Sequence, residues 1–188
     1  MNKTKPSFIA ALLMISVNAH AADYTIDPAH TFVQFHISHL GFSTLAGRFD
    51  KVQGGFNWDK ASPQASAINI TIEAASVDSN WPERDKHLRS PDFLSVEEFP
   101  EASFKSTKFN GDATGGKLEG DLTLHGVTKP IVIDVKAVGE GKDPWGGYRA
   151  GFDGTTSIQR SDFGVSKNLG PASETVYFDL HIEGIQKK

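Results

Sequence analysis

"TFVQFHISHL", residues 31–40, decides the fold class because its side chains alternate between two faces. Every second position carries an apolar side chain, up to a histidine at the end of the stretch: Val33, Phe35, Ile37 and His39. A repeat of two residues is the repeat of a β-strand with one buried face. The stretch therefore predicts a strand whose odd-numbered side chains point into an apolar interior.

The same repeat recurs along the chain. It is clear at 68–72, 131–135 and 176–182, and less regular at 45–58, 101–110, 117–125 and 148–158. The intervening turns, such as "TGGK" at 114–117, are rich in Gly and Pro and too short for crossover helices. Eight antiparallel strands with one apolar face form an up-and-down barrel or a two-sheet sandwich. Regular hairpin spacing, broken by one long excursion, favours an all-β, eight-stranded antiparallel barrel.

The excursion, "SVDSNWPERDKHLRSPDFL" at 76–94, follows the third strand and predicts a short helical cap over one end of the barrel. Asn80 and Glu83 have the spacing of a capping box. Pro82 suits a first helical turn, and Pro91 ends the helix. We therefore expect a helix of about nine residues here.

The predicted cap docks through apolar side chains while most of its charges face water. Trp81 and Leu88 fall on one face of the helix together with Asp85. Phe93 adds an apolar anchor after the helix. The residues predicted to form the lid are Trp81, Arg84, His87, Leu88 and Phe93.

The N-terminal segment has the order of a secretory signal peptide. Lys3 and Lys5 precede an apolar run at 8–17, which is followed by the small residues Ala19 and Ala21 around His20. The run is too short to span a bilayer, and no later stretch approaches the roughly 20 apolar residues of a membrane helix. The sequence thus predicts a signal peptide at 1–21, one barrel domain at 22–188, and export to the periplasm.

Composition excludes several classes of protein. Without Lys3 and Lys5 the chain has 17 basic and 23 acidic residues, a formal charge of −6, which argues against nucleic-acid partners. The charged excursion and the ragged alternation at 101–110 argue against stable membrane insertion. An exported chain with no cysteine must be held together by its core instead of by disulfides.

The histidines do not predict a metal centre. His36 and His39 are separated by an odd offset, which places them on opposite faces of a strand. His30 lies about 20 Å from His36 along an extended chain at ~3.3 Å per residue. Since there is no cysteine to complete a ligand set, the sequence predicts no metal site.

The cap contains residue types of a hydrolytic triad, but not in its pattern. Asp85, His87 and Ser90 have helical offsets of two and three, which do not join them in one relay, and no GxSxG motif accompanies them. The favoured interpretation is a helix stiffened by pairs such as Asp85 with Arg89. His39, on the apolar face, is either a core histidine or a contact for a ligand head group.

Five ordered segments carry a resemblance to a known family. "YTIDPAHTFVQFHISHLGFSTLAGRF", "SVDSNWPERDKHLRSPDFL", "EEFPEASF", "GDLTLHGVTKPIVIDV" and "DPWGGYRAGFDGTTSIQRSDFG" resemble the YceI-like periplasmic proteins from Asp23 to Gln186. The resemblance implies a lipocalin-like barrel, extended and capped by a helical segment. It also implies an apolar tunnel for a long-chain isoprenoid or quinone-type lipid, no other cofactor, and a homodimer.

The residues alone leave the interior of the barrel open to two interpretations. Phenylalanine dominates the aromatic content, with 13 residues against three Trp and three Tyr, so the inner wall is apolar. Eight strands can enclose either a packed core or one ligand. The resemblance favours the tunnel, with the predicted ligand-binding residues Val33, Phe35, Ile37, His39, Ile70, Ile72, Ile133, Phe178 and Leu180.

The function predicted from the sequence is a periplasmic carrier or store for such a lipid, without enzymatic activity. A hydrolase or isomerase using His39 or His87 on a lipophilic substrate in the same lumen is the alternative. A structural or stress-related interaction protein with a filled barrel is the third class. Turnover that depends on His87 distinguishes the second, and a barrel without a void distinguishes the third.

The first prediction concerns export. Mass measurement of the exported protein should give a chain that begins at Ala22 or within a residue or two of it, because the small residues at 19 and 21 define the cleavage site. A mature fraction that still carries Met1 contradicts both the signal peptide and the periplasmic location.

Overall fold

The computed structural model describes residues 21–188, and the predicted signal peptide, apart from Ala21, lies outside the described residues. Within this part of the chain one α-helix and eleven strand segments are formed, all in one sheet. The helix is α1 (Pro82–Arg89). The strands are β1 (Ala22–Ile26), β2 (Phe32–His39), β3 (Ser43–Phe49), β4 (Val52–Trp58), β5 (Ala67–Glu73), β6 (Val77–Asp78), β7 (Glu101–Asp112), β8 (Gly115–Leu124), β9 (Val127–Lys142), β10 (Tyr148–Gln159) and β11 (Thr175–Gln186).

The sheet closes into an eight-stranded antiparallel barrel, as predicted. Its ring order is β1, β4, β5, β7, β8, β9, β10 and β11, and β11 pairs with β1 to complete the circle. The other three segments continue bent strands, since β2 prolongs β1, β3 precedes β4, and β6 prolongs β5. The helix follows the third of these long strands, where the sequence predicted the cap.

The bend in the first long strand lies at residues 27–31 and divides it into β1 and β2, both of which pair with β11. Near the C-terminal end of β11, Gly184 lies opposite Ile26 of β1. Near its N-terminal end, Val176 lies opposite Ile37 of β2. Pro28, inside the bend, has no N–H to give to a ladder. The ladder resumes only after this interruption, so the strand changes direction without leaving an open edge.

Charged side chains fix the bend in place. Arg149 Nη1 donates to Asp27 Oδ2 at 2.6 Å and also to Glu183, and its Nε donates to Asp143 Oδ2 at 2.9 Å. His30 Nδ1 lies 2.9 Å from Asp27 Oδ2. Burial alone would raise the pKa of Asp27, but the hydrogen bonds from Arg149 and His30 outweigh it and lower that pKa to about 2. The bend is therefore held by a partly buried ion-pair cluster.

Aromatic side chains fill the end of the barrel away from the cap. The rings of Tyr24 and Phe56 stack with centroids 4.8 Å apart, and Phe152 meets the Trp58 ring edge-on at 4.9 Å. Gly184 makes room for them, because a Cβ there would lie 2.5 Å from the Phe56 ring. The barrel is thus solidly packed at one end. Separately, no helix within residues 21–188 is long and apolar enough to cross a membrane.

We predict that Arg149→Gln destabilises the protein in a pH-dependent way. The pKa of Asp27 in the folded protein, about 2, lies below its ordinary 3.8, so the cluster stabilises the fold above that ordinary pKa and ceases to do so as pH falls through 2. The variant should therefore lose most stability at neutral pH and little near pH 2. Urea unfolding across this range measures it.

The control is Lys117→Gln, because Lys117 forms an exposed pair with Asp134 at 2.6 Å. Such a pair contributes little at any pH. An Arg149→Gln deficit that is the same near pH 2 as at neutral pH contradicts the role given to the cluster.

Candidate functional site

The barrel is hollow between its packed end and its cap. Two adjoining cavities occupy it, an inner one of about 160 Å³ next to the packed end and an outer one of about 360 Å³ beneath the cap. Ile72, Leu122 and Phe178 contribute to the walls of both. The two cavities therefore meet at a waist formed by these three side chains.

The inner cavity has an apolar wall throughout. It is lined mainly by aliphatic and phenylalanine side chains from all eight long strands, among them Val33, Phe56, Ile70, Phe104, Leu118, Ile133, Phe152 and Leu180. No polar atom faces into it. Such a space favours a hydrocarbon and offers nothing to hold a polar group.

The side chains of the lumen confirm that it is not filled. Phe35, Ile37, Phe178 and Leu180 point inward, yet they are only half buried, because part of each surface faces the void. In a filled barrel these positions would be fully buried. Gly47 leaves space for Phe35, since a Cβ at that position would lie 2.5 Å from its ring.

Three segments surround the outer cavity. They are the tip of the β2–β3 hairpin (the hairpin tip, residues 38–45), the cap (residues 79–94) and the stretch between β10 and β11 (the return segment, residues 160–174). The hairpin tip is fastened to the return segment through Ser173, whose hydroxyl donates to the Ser38 carbonyl at 2.8 Å. Lys167 Nζ, in the return segment, contacts Asp92 Oδ2 in the cap at 2.7 Å. The three segments thus form one connected cover.

Charged and titratable side chains with polar atoms facing the lumen gather at this end, whereas the polar residues that border the inner cavity, Asn57, Ser66, Asp153 and Thr156, expose no polar atom to it. The charged or titratable residues that line the outer cavity are His39, Arg84, His87 and Arg160, and no carboxylate is among the lining residues. Arg160 is buried and donates to the carbonyls of Ser173 at 2.8 Å and Val165 at 2.7 Å. The outer cavity therefore combines apolar walls with a set of hydrogen-bond donors.

The cap is anchored from beneath by hydrogen bonds that the sequence did not reveal. Buried Asp85 accepts the backbone N–H of Ser79 at 2.8 Å and also the Ser79 hydroxyl. Arg89 donates to the carbonyls of Ala75 and Val77, each at 2.6 Å. These bonds fix the helix to the end of the third strand, over the mouth of the barrel.

Three details of the predicted cap are wrong. The helix is preceded by Trp81 without any side-chain cap, because Asn80 takes a left-handed φ of 65° and does not form the capping box. Asp85 bonds to Ser79 and not to Arg89. Trp81 does not dock, since it is 59% exposed and lines neither cavity.

All nine residues predicted to bind ligand lie in the walls of the two cavities. The inner cavity takes Val33, Ile70, Ile72, Ile133, Phe178 and Leu180, and the outer takes Phe35, Ile37 and His39. Of the predicted lid, Arg84, His87, Leu88 and Phe93 line the outer cavity. Whether these residues contact a lipid remains a prediction.

Several lining residues were missed. Leu45, Phe49, Phe104, Leu122 and Phe152 stand in strands whose alternation is interrupted by glycine or polar residues, so the pattern gave a weak signal. Arg160 lies in a short turn after β10, where no periodicity applies. The one sign of Arg160 in the sequence is that a cation directly follows an apolar strand, with Asp162 two residues later.

Other constellations serve the structure. Asp27, His30 and Glu183 place three possible metal ligands within 4.8 Å of one another, but Arg149 already donates to both carboxylates. The triad-like residues do not form a relay, because Nε2 of His87 lies 2.9 Å from Asp92 and the Ser90 hydroxyl donates to the His87 carbonyl. Hydrogen bonds from His87 and then from Lys167 lower the pKa of Asp92.

Comparisons with known proteins agree with this architecture. The family model of the YceI-like domain matches residues 24–184. A UPF0312 protein of Ectopseudomonas mendocina (strain ymp) is 54% identical over 187 residues, which cover 95% of this chain and 97% of that one. The crystal structure of a Campylobacter jejuni YCEI protein superposes with a TM-score of 0.73 at 32% identity, covering 81% of this chain and 91% of that one.

A more distant structure shares the fold. The polyisoprenoid binding domain from Saccharophagus degradans, described as implicated in plant cell wall breakdown, matches with a TM-score of 0.65 at 18% identity. The match covers 89% of this chain and all of that one.

We predict that Asp85→Ala loosens the cap. The change leaves the buried Ser79 N–H and hydroxyl without their acceptor, which should lower the free energy of unfolding by about 1–3 kcal/mol. Amide hydrogen exchange in the cap should also become faster. Glu83→Ala, on an exposed position of the same helix, is the control and should cost below about 0.5 kcal/mol. Equal effects of the two changes would show that Asp85 is not the anchor.

Proposed function

Because the chain belongs to the family of YceI-like domains, we propose that it carries or stores a long-chain isoprenoid or a similar amphiphilic lipid in its two joined cavities. The observation that carries the proposal is the polarity of the lumen. Its inner part exposes no polar atom to the cavity, and its charged donors line the outer end. This is the arrangement that a molecule with a long hydrocarbon chain and one polar head requires.

The hydrocarbon chain lies in the inner cavity and passes the waist at Ile72, Leu122 and Phe178. Each buried methylene-sized group contributes about 0.8 kcal/mol, so a chain of some tens of carbons nominally reaches the ~20 kcal/mol ceiling of non-covalent affinity. Ordering the chain and the side chains around it offsets part of this. Shape and apolarity therefore suffice for binding, and no sequence motif for the chain is needed.

The head group lies in the outer cavity, beside Arg84, His87 and Arg160. Arg84 donates from Nε to the Ser79 hydroxyl at 2.7 Å and from Nη2 to the Ser79 carbonyl, and these bonds hold its guanidinium against the cavity. A quinone, hydroxyl or phosphate oxygen would accept hydrogen bonds from these donors. The name of the Saccharophagus degradans domain supports an isoprenoid over other amphiphiles.

Binding without turnover fits the outer cavity better than hydrolysis or isomerisation does. The hydroxyls that line it are engaged elsewhere, since Ser38 Oγ accepts the Gly41 N–H at 3.0 Å and the Ser173 hydroxyl donates to a carbonyl. His87 lies against Asp92, with no hydroxyl of the lining bonded to either of its nitrogens. The void itself argues against a purely structural protein with a filled barrel.

The proposed site of action is the periplasm, to which the signal peptide predicted at residues 1–21 would direct the chain. A lipid with a long chain cannot cross that aqueous compartment unless its chain is shielded. The homodimer implied by the family resemblance is kept as part of this proposal. Each barrel contains both cavities within one chain, so each protomer would bind its own ligand.

Protein isolated from its native compartment should carry a co-purifying lipid. Native mass spectrometry should show a discrete added mass, and solvent extraction should yield a long-chain apolar molecule. Leu122→Trp tests the same lumen from the waist. Since the ring can enter the void, the variant should lose less than the 1–3 kcal/mol typical of an overpacked core, yet bind less lipid.

Val132→Trp is the matched control, because Val132 is 47% exposed and lines neither cavity. It should bind lipid as the unaltered protein does. Empty extracts from several growth conditions, together with unchanged lipid binding in Leu122→Trp, would overturn the proposed function.

A further inference from the structure

The hairpin tip exposes apolar side chains at the rim of the outer cavity. Phe42 is 84% exposed, and its neighbour Leu40 is 48% exposed. Leu40 and Leu45 also line the outer cavity. The apolar surface is therefore continuous from the lumen, over the rim, to solvent.

The backbone of the hairpin tip takes an unfavourable conformation at Leu40, beside the exposed Phe42. Leu40 and Gly41 have φ of 54° and 84°, and the Phe42 N–H closes the turn on the His39 carbonyl at 2.9 Å. Two successive positive φ values favour Asn or Gly, whereas leucine rarely adopts them. The Ser173 hydroxyl accepts the Leu40 N–H at 3.2 Å and helps to hold the turn. Because about half of the Leu40 side chain stays exposed, its packing offers little to offset this conformation, which points to a role outside the fold.

The charges around the tip differ from those of the whole chain. Between Asp27 and Asp50 there is no acidic residue, although the chain has a formal charge of −4. The stretch contains three histidines and Arg48, and in the neighbouring return segment Lys167 is paired with Asp92 of the cap, while Asp162 and Glu174 are paired with Lys129 and Arg160. Arg48 forms pairs with Asp50 and Asp78 away from the turn itself. The hairpin tip itself thus presents no carboxylate to an anionic lipid head group, and the carboxylates of the return segment and Asp92 of the cap are each paired with a basic side chain.

We propose that the hairpin tip is a membrane-docking element: Phe42 and Leu40 enter the outer layer of a bilayer, and the lipid ligand moves directly between that bilayer and the outer cavity. This inference rests on the proposed function, since only a ligand that resides in membranes requires such contact. Two apolar side chains give a shallow and reversible attachment. The surplus of negative charge elsewhere keeps the remainder of the protein off the surface.

The test is the transfer of a dansyl-labelled polyprenol from vesicles of phosphatidylcholine with a minority of phosphatidylglycerol. For the unaltered protein the transfer rate should increase with vesicle concentration, which is the signature of transfer by collision. Phe42→Ser should slow transfer roughly tenfold, because the loss of one buried aromatic side chain weakens the contact by about that factor. Leu40→Asn should also slow it while leaving the melting temperature unchanged or higher, since asparagine tolerates the positive φ.

Trp145→Ser is the matched control. Trp145 is 79% exposed, like Phe42, but lies in the turn between β9 and β10 at the opposite end of the barrel. It should transfer the polyprenol at the rate of the unaltered protein. Equal slowing by Trp145→Ser and Phe42→Ser, or no slowing by Phe42→Ser, overturns the docking inference.

Two further measurements separate the possible failures. The polyprenol delivered from detergent should bind equally to the unaltered protein and to Phe42→Ser, and an unaltered protein that fails to bind it overturns the proposed function itself. Light scattering after size exclusion should give the same mass for both proteins. A lower mass for Phe42→Ser, with unchanged transfer, would show that the tip is an interface between copies of this chain and would overturn the inference.

Discussion

Closure of the sheet between its first and last strands is the constraint on which the remaining structure depends. Both halves of the bent first strand, β1 before residues 27–31 and β2 after them, pair with the same edge of β11. Arg149 holds the bend by joining Asp27, Glu183 and Asp143. Once the ring is closed, the backbone satisfies its own hydrogen bonds, and the interior needs no polar side chains.

A closed ring can also remain hollow. The packed cluster around Tyr24, Phe56 and Trp58 lies at one end, so the rest of the lumen need not be filled for the barrel to hold together. An unfilled apolar cavity forfeits the contacts that its walls would otherwise make. A bound lipid would restore them, and by mass action it would stabilise the folded protein by an amount that grows with the logarithm of its concentration. Stability and occupancy are therefore linked in this fold.

The sequence was informative where side-chain direction follows from local geometry and much less so where tertiary contacts decide. The alternation of residues 32–39 and 176–182 assigned Phe35, Ile37, Phe178 and Leu180 to the inner face correctly, because strand geometry leaves only two faces. The location of the helix followed from Pro82 and Pro91. Its attachment did not, since Asp85 in sequence resembles a solvated charge and becomes buried only when the chain folds back onto Ser79. Trp81 shows the converse, an apolar residue that lies in extended backbone just before the helix and stays exposed.

The placement of the charged donors at one end of the lumen would give the proposed ligand a direction. A chain threaded past Ile72, Leu122 and Phe178 has its hydrocarbon end deepest and its head nearest the opening. Departure of such a ligand would reverse the order of its arrival, so that a receiving protein or membrane would meet the head first and draw the tail out after it. Recognition by the next protein or membrane can then precede release, and the tail stays sheltered until a new apolar surface is within reach.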